Sequence, residues 1–338
     1  VTVAGRDVPF GQLFRALAAG DEAMLLDDGT WFPMEHSELD RLRQLLTEAR
    51  ELVDVGPGGQ LRISAYQAGL WEELAGLGVV EEQPLRWRER VQTLLSLGSD
   101  EASASVPEGL DAILRPYQEQ GLAWLAALWD ANLGGVLADD MGLGKTLQCL
   151  ALLERARERG QLDEAPVLVV APASVVGTWA EEAARFVPGL KVVAIRATQA
   201  RRGTELAEEI RGAHLVLTSY TLLRLEDEAY LEQTWRGLVL DEAQFIKNHR
   251  SRTHQVVRRI GASFALAITG TPLENSLSDL WSMFSLVAPG LFPRLEGFNE
   301  TYRKPVEKNG KTDVLGRLRA RIRPFMLRRT KREVVREL

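Results

Sequence analysis

The loop from Asp139 to Thr146 carries the residue types that hold phosphate groups. It reads DDMGLGKT, follows the apolar run GGVLA and precedes a helical pattern. Glycines let backbone N–H groups approach phosphate oxygens, a lysine neutralises them, and a threonine hydroxyl ligates Mg²⁺. The first glycine of the general pattern is Asp139 here. The predicted nucleotide contacts are Asp140, Met141, Gly142, Leu143, Gly144, Lys145 and Thr146.

Two acidic residues follow a second apolar run, where a strand would end. Leu238, Val239 and Leu240 lead directly into Asp241 and Glu242. A carboxylate at a strand end beside a phosphate loop can hold Mg²⁺, and a neighbouring one can orient or deprotonate a water molecule. An acidic pair alone is also a common helix start. Together with Lys145, we predict Asp241 as a magnesium ligand with Thr146, and Lys145, Asp241 and Glu242 as the catalytic residues.

The elements that position these residues alternate between short apolar strands and helices from Leu110 onward. The predicted strands include 167–171, 191–195, 214–220, 237–243 and 264–269. Buried strands joined by helices predict an α/β fold, with a parallel sheet that carries helices on both faces. Ligands bind such sheets at the carboxyl ends of the strands, where both predicted motifs lie.

Charge divides the 338-residue chain into different regions. Residues 1–106 hold 9 basic and 18 acidic side chains, whereas residues 317–338 hold 9 basic and 2 acidic ones. We predict an acidic, mostly helical α+β domain over 1–97, a linker over 98–109 and the α/β domain over 110–338. The basic end, which includes Arg321 and Arg329, is either a solvated face or a phosphate contact.

Other classes of protein are excluded or disfavoured by composition. A single cysteine rules out a disulfide framework, and four scattered histidines disfavour a metal centre of that type. No apolar run reaches the roughly 18 residues of a membrane span, so we expect no membrane partner. The chain lacks an initial Met and a signal peptide, so we expect a piece of a longer intracellular protein.

A series of motifs from residue 110 onward resembles the first RecA-like lobe of a bacterial Swi/Snf-type superfamily 2 helicase-like ATPase. The motifs, in the order of the family, are LRPYQ (114–118), DDMGLGKT, APASVVGTW (171–179), LTSY (217–220), DEAQFIKN (241–248), TGTPLEN (269–275) and FMLRRTK (325–331). The series covers about two thirds of the chain. Gln244 stands where the family more often has histidine.

The resemblance implies ATP and Mg²⁺ as cofactors and translocation along double-stranded DNA. Gln118 would read the adenine, and Gln244 and Thr269 would couple the acidic box to the next motif. The residues that would line a duplex-backbone groove are Pro172, Ala173, Ser174, Ser219, Tyr220, Lys247, Gly270 and Thr271. Ordinary loop and capping roles remain open for each polar one. Trp179 lies in an amphipathic stretch, which predicts a core residue rather than a stacking platform.

The chain departs from the family in lacking a second RecA-like lobe and its arginine finger. We therefore expect weak ATP hydrolysis or none from this chain alone, and the second lobe as its partner. The acidic N-terminal domain is expected either to restrain DNA binding or to recruit a protein. Alternatives to a DNA motor are a nucleotide-gated protein-binding module and an RNA-polymerase-associated ATPase. The implied location is the bacterial cytoplasm, on the nucleoid when DNA is bound.

Overall fold

The computed structural model describes residues 104–270, 276–309 and 312–334, together with short stretches before residue 104. Contacts divide the chain into two compact units. One combines Val1–Gln92 with Gly290–Arg321, and the other combines Thr93–Pro289 with Ile322–Leu338. The helical segment Gly290–Arg321 therefore groups with the N-terminal segment, which its position late in the α/β region does not suggest. Among the described residues, no helix has the length and low polarity of a membrane span.

The larger unit is built on a parallel sheet. Over the described residues this sheet has seven strands, which are β7 (Gly135–Leu137), β8 (Val167–Ala171), β9 (Val192–Ala194), β10 (Leu215–Ser219), β11 (Trp235–Leu240), β12 (Ala262–Ile268) and β13 (Met326–Leu327). Their order across the sheet is β13-β7-β12-β11-β8-β10-β9. All five residues of β8 and of β10 are buried, as expected for strands covered on both faces.

Helices cover the sheet. They are α1 (Pro116–Asp130), α2 (Lys145–Glu158), α3 (Val176–Phe186), α4 (Gln199–Arg202), α5 (Leu206–Glu209), α6 (Tyr220–Leu225), α7 (Asp227–Leu231), α8 (Arg252–Arg259) and α9 (Leu277–Val287), with a 3₁₀ turn at Ala243–Ile246. The predicted α/β class and parallel sheet are confirmed. Strand β11 ends at Leu240, directly before Asp241, so the acidic pair stands at a strand end as predicted.

The sheet gains a strand that the sequence pattern did not indicate. Met326 and Leu327 pair in parallel with Val136 and Leu137 of β7. The last strand of the sheet is therefore Met326–Leu327 rather than the predicted strand 264–269, and it lies inside the basic end. A two-residue strand with one neighbour leaves no apolar run long enough to recognise.

The smaller unit has antiparallel strand pairs and helices. Its strands are β1 (Thr2–Val3), β2 (Arg6–Asp7), β3 (Ala23–Leu25), β4 (Trp31–Pro33), β5 (Asp54–Val55) and β6 (Leu61–Arg62), which pair in sequence order. The pair Asp28-Gly29 between two apolar runs predicts a hairpin turn, and Gly29 lies between β3 and β4 at φ +79°. The spacing of leucines over 37–53 predicts a helix, and the described residues of this range are helical, with Leu39 and Leu45 buried. The spacing of Trp71, Leu74 and Leu77 predicts a later helix, and these three residues lie outside the described residues.

The later segment of this unit contains α10 (Leu295–Phe298), a π turn (Asn299–Arg303), α11 (Lys304–Asn309) and α12 (Thr312–Ile322). Its arginines meet the acidic N-terminal segment. Arg321 donates to Glu48 Oε1 at 2.9 Å and to Glu73 Oε1 at 2.8 Å, and Tyr302 donates to the same Glu48 oxygen at 2.5 Å. Arg321 is therefore part of a buried ion-pair cluster, so neither sequence reading of the basic end describes it.

Candidate nucleotide site and nucleic-acid interface

The predicted phosphate loop connects β7 to the first turn of α2. Gly142 and Gly144 adopt φ values of +83° and +72°, a region that favours glycine. A Cβ on Gly144 would lie 2.4 Å from Gln118 Nε2. Helix α2 begins at Lys145, so the amides of its first turn have no acceptors within the helix and can donate to an anion bound at its N-terminus. The loop geometry therefore fits a nucleotide phosphate.

Lys145 is the cation of this loop. Its Nζ donates to the carbonyl oxygens of Asp139 at 2.7 Å and Asp140 at 3.2 Å. Burial lowers the pKa of Lys145, and the nearby carboxylates of Asp139, Glu242 and Asp241 act in the opposite direction. The ammonium is thus held among carbonyl oxygens, which it can exchange for phosphate oxygens.

Gln118 approaches the same loop from α1. Its Oε1 accepts a hydrogen bond from the Arg115 amide at 3.0 Å, and its Nε2 donates to the Leu143 carbonyl at 3.3 Å. The side chain is buried. The structure therefore brings Gln118 to the phosphate loop, where it fixes the Leu143 carbonyl.

Asp241 is a buried carboxylate whose two oxygens each accept a hydrogen bond. Trp179 Nε1 donates to Oδ2 at 2.7 Å, and the Glu242 amide donates to Oδ1 at 2.9 Å. Burial raises the pKa of Asp241, while these two hydrogen bonds oppose the rise. Trp179 is 1% exposed, so it belongs to the core as predicted, but it also has a polar role.

Glu242 occupies an unusual backbone position. Its φ is +46°, which is uncommon for a residue other than glycine. Residues with such strained backbone angles cluster at functional sites. Gln244 Nε2 donates to Glu242 Oε2 at 2.5 Å, and Thr269 Oγ1 donates to Gln244 Oε1 at 2.9 Å. Gln244 therefore bridges the acidic box to the end of β12. Its amide has both a donor and an acceptor, which this bridge requires.

Part of the predicted groove forms a cavity at the carboxyl ends of the strands. It measures about 250 Å³ and is lined by Ala173, Ser174, Val176, Gly177, Ile195, Arg196, Ser219 and Leu222. Ala173 and Ser174 are exposed, and Pro172 beside them is half-buried. The exposed Arg196, at the end of β9, adds a cation that the motif-based reasoning did not include. An arginine directly after a predicted strand was the available signal.

Two predicted groove residues have inward contacts. The Tyr220 side chain is buried, and its hydroxyl donates to the Asp241 carbonyl at 2.8 Å. Burial raises the pKa of that hydroxyl well above its ordinary value. Ser219 Oγ accepts from the Leu222 amide at 3.2 Å and caps α6. The hydroxyl of Tyr220 is thus directed toward Asp241, at the end of β11, rather than toward the cavity.

The remaining predicted groove residues are dispersed. Lys247 is exposed and pairs with Asp279 at 3.4 Å. Gly270 lies at the phosphate loop, since a Cβ on it would be 2.7 Å from Met141 Cγ and 3.6 Å from Lys145 Nζ. Thr271 lies outside the described residues. The structure therefore brings Ser174 and Ser219 together at the cavity but places Gly270 with the nucleotide residues.

The chain is similar to known proteins of one family. The model of the SNF2-related domain family matches residues 117–338. YwqA of Bacillus subtilis (strain 168), whose name describes an ATP-dependent helicase/translocase, is 33% identical over 337 residues, which are 95% of this chain and 35% of YwqA. The chromatin-remodeling ATPase INO80 of Arabidopsis thaliana is 37% identical over 252 residues, 70% of this chain and 17% of INO80.

A solved structure shows the same fold. The Sulfolobus solfataricus SWI2/SNF2 ATPase core in complex with dsDNA superposes with a TM-score of 0.63 at 35% identity, over 70% of this chain and 49% of that one. The chain thus spans about half of that core and smaller shares of the two relatives.

Proposed function

Because this chain belongs to the SNF2-related domain family, we propose that it is the ATP-binding lobe of an ATP-dependent translocase that acts on double-stranded DNA. The observation that carries the proposal is the meeting of the Lys145 loop with Asp241, Glu242 and Gln244 at one edge of the sheet. The names of the relatives, a helicase/translocase and a chromatin-remodeling ATPase, support the same class.

In this proposal the residues of the site divide the work of hydrolysis. Mg²⁺-ATP supplies a γ-phosphoryl group that water can attack. Lys145 and the loop amides neutralise and orient the phosphates, while Thr146 and Asp241 would hold Mg²⁺. Glu242 orients the attacking water and accepts its proton, and the amide of Gln244 fixes the Glu242 carboxylate.

Duplex DNA is proposed to bind at the cavity that Ser174, Arg196 and Ser219 line. Hydroxyls, loop amides and one arginine suit phosphate oxygens and carry no information about base sequence. The similar Sulfolobus solfataricus SWI2/SNF2 ATPase core was solved in complex with dsDNA, which supports this assignment. We keep Pro172, Ala173 and Lys247 as further proposed contacts, and Tyr220 as a link from the cavity to the Asp241 carbonyl.

The proposed motor needs a second RecA-like lobe. A charge that stabilises the transition state, such as an arginine finger, is worth about 10³–10⁵ in rate, and we propose that a second lobe supplies it. The test is steady-state ATP hydrolysis, with and without duplex DNA, by this chain and by a protein that carries both lobes. We expect strong DNA-stimulated turnover only with both lobes. If duplex DNA does not change the rate of ATP hydrolysis by the two-lobe protein, the result would contradict the proposed motor and favour a nucleotide-gated binding module.

For the acidic N-terminal segment we propose a restraint on DNA binding or the recruitment of a protein partner. Deletion is a poor test, because Glu48 neutralises the buried Arg321. The exposed Asp21 and Glu22 can be neutralised instead, by Asp21→Asn and Glu22→Gln. Under the restraint version, the double variant binds duplex DNA more tightly. Unchanged affinity would remove that version.

A further inference from the structure

The chain that follows β13 runs along the phosphate loop. We call residues 326–331 the strap. Beyond the β13–β7 pairing, the Ala138 amide donates to the Leu327 carbonyl at 2.8 Å, and the Asp140 amide donates to the Arg329 carbonyl at 3.0 Å. The Lys331 amide donates to Asp140 Oδ2 at 2.9 Å. The strap is therefore hydrogen-bonded to the backbone of Ala138 and Asp140 and to the Asp140 side chain, at the N-terminal side of the loop.

Arg329 makes the central contact of the strap. Its Nε donates to Asp139 Oδ1 at 3.1 Å, its Nη2 donates to Asp139 Oδ2 at 2.5 Å, and its backbone amide donates to Oδ1 at 3.0 Å. The Asp139 carboxylate is fully buried. A buried carboxylate needs a partner of opposite charge, and the planar guanidinium satisfies both of its oxygens.

The surrounding residues are shaped to admit this guanidinium. Nη2 also donates to Gln148 Oε1 at 2.8 Å, and Nη1 donates to the Tyr117 carbonyl. A Cβ on Gly121 of α1 would lie 1.8 Å from Gln148 Oε1 and 2.9 Å from Arg329 Nη2. A glycine inside a helix costs stability, so its presence here is explained by the space that this contact needs.

The same aspartate touches the cation of the loop. The Asp139 carbonyl accepts a hydrogen bond from Lys145 Nζ at 2.7 Å. One residue is therefore held on its side chain by Arg329 and on its backbone by Lys145. A displacement of Asp139 would therefore move the carbonyl oxygen that holds the Lys145 ammonium in place.

We infer that Arg329 is a positioning residue for the nucleotide site, which it holds in its binding geometry by fixing Asp139 at the start of the phosphate loop. The inference rests on the proposed ATP site and deepens it. The strap becomes part of that site instead of a passive connection. Neither sequence reading, a solvated basic face or a direct phosphate contact, describes Arg329.

The experiment measures binding of Mg²⁺ with a fluorescent ADP analogue to the 338-residue chain. The variants are Arg329→Gln, Arg329→Lys, Asp139→Asn and the Asp139→Asn/Arg329→Gln double variant. Arg332→Gln, which changes an exposed arginine three residues away, is the matched control. Thermal unfolding without nucleotide is recorded for every variant, and binding is measured well below the lowest midpoint.

We expect Arg329→Gln to raise the dissociation constant by about tenfold or more, because it leaves a buried charge unpaired beside the loop. Arg329→Lys should recover only part of this loss, since lysine cannot satisfy both oxygens. The double variant should bind no more weakly than Arg329→Gln, because coupled residues are not additive. Arg332→Gln should stay within about twofold of the parent chain.

Three results would overturn the inference. One is a folded Arg329→Gln variant with an unchanged dissociation constant, whatever its unfolding midpoint. Another is a double variant in which the two losses multiply. If Arg329→Gln does not fold, Gly121→Ala is measured in its place. The third result is then an unchanged dissociation constant for Gly121→Ala. Failure of the parent chain to bind nucleotide would contradict the proposed function itself, which distinguishes the two.

Discussion

The indole N–H of Trp179 donates to Oδ2 of Asp241 across 2.7 Å, and both residues are buried. Trp179 lies on α3, whose first residues Val176 and Gly177 line the cavity proposed for DNA. Tyr220 begins α6, whose Leu222 also lines that cavity, and its hydroxyl donates to the Asp241 carbonyl. Two elements that border the proposed DNA site thus contact the residue proposed to hold Mg²⁺.

Replacing Trp179 with phenylalanine should destabilise the fold by removing a donor to a buried carboxylate. We expect a loss of about 1.5–3 kcal/mol in the free energy of unfolding, the range for hydrogen bonds to charged groups. Urea unfolding followed by circular dichroism measures it. Trp235→Phe is the control, since its Nε1 donates to the neutral Tyr230 carbonyl at 2.9 Å. Equal losses from the two variants would contradict the assigned role of the Asp241 charge.

The bridge through Gln244 should affect turnover more than binding. Thr269→Val removes the donor to Gln244 Oε1. In a protein with both lobes, we expect hydrolysis to fall by about fivefold to tenfold, equivalent to one neutral hydrogen bond, at unchanged nucleotide affinity. Combining it with Gln244→Ala should lower the rate no further than Gln244→Ala alone. Multiplying losses would show that the two residues act separately.

Arg196 should contribute one phosphate contact to DNA binding. Each neutralised phosphate adds about 0.9 to the slope of log affinity against log salt concentration. Arg196→Ala should therefore weaken binding to all duplex sequences and reduce that slope by about 1. Arg201→Ala, an exposed arginine five residues later that does not line the cavity, should leave the slope unchanged. Identical slopes for the parent and Arg196→Ala would refute the contact.

His254 should make stability depend on pH. It is 1% exposed and donates through Nε2 to the Ser282 carbonyl at 3.2 Å. Burial lowers its pKa below the ordinary 6.5. As pH falls below 6.5, the unfolded chain takes up a proton that the folded chain does not, so stability is lost, by at most about 1.4 kcal/mol per pH unit.

The measurement for His254 is urea unfolding between pH 7.5 and 5.5. His254→Gln keeps a donor for the Ser282 carbonyl and cannot titrate in this range. This variant should lose less stability than the parent chain as the pH falls. The same loss in both chains would exclude His254 as its source.

The sequence predicts the sheet because its buried strands are continuous apolar runs. Val167–Ala171 is found at its predicted bounds, and β11 ends where Asp241 begins. The phosphate loop is equally predictable, because its backbone has positive φ angles at two positions, and glycines occupy both of them, Gly142 and Gly144. These features depend on local chemistry, which the order of residues records.

Features that depend on residues far apart were not predictable. Arg329 meets Asp139 across 190 positions, and Arg321 meets Glu48 across 273. An arginine in a basic run has the same local pattern whether it is solvated or buried in an ion pair. Tyr220 and Gly270 show the same limit, since a motif indicates that a residue matters without showing which way its side chain or backbone faces.

The central claim is that this chain binds a nucleotide through the Lys145 loop. The most direct test is calorimetric titration of Mg²⁺-ADP into the 338-residue chain and into its Lys145→Ala variant, after both are shown to be folded. We expect saturable binding at one site, weakened by about tenfold or more in the variant, which loses the charge-assisted contact to phosphate. Absence of binding by the folded parent chain, or equal binding by the variant, would contradict the account.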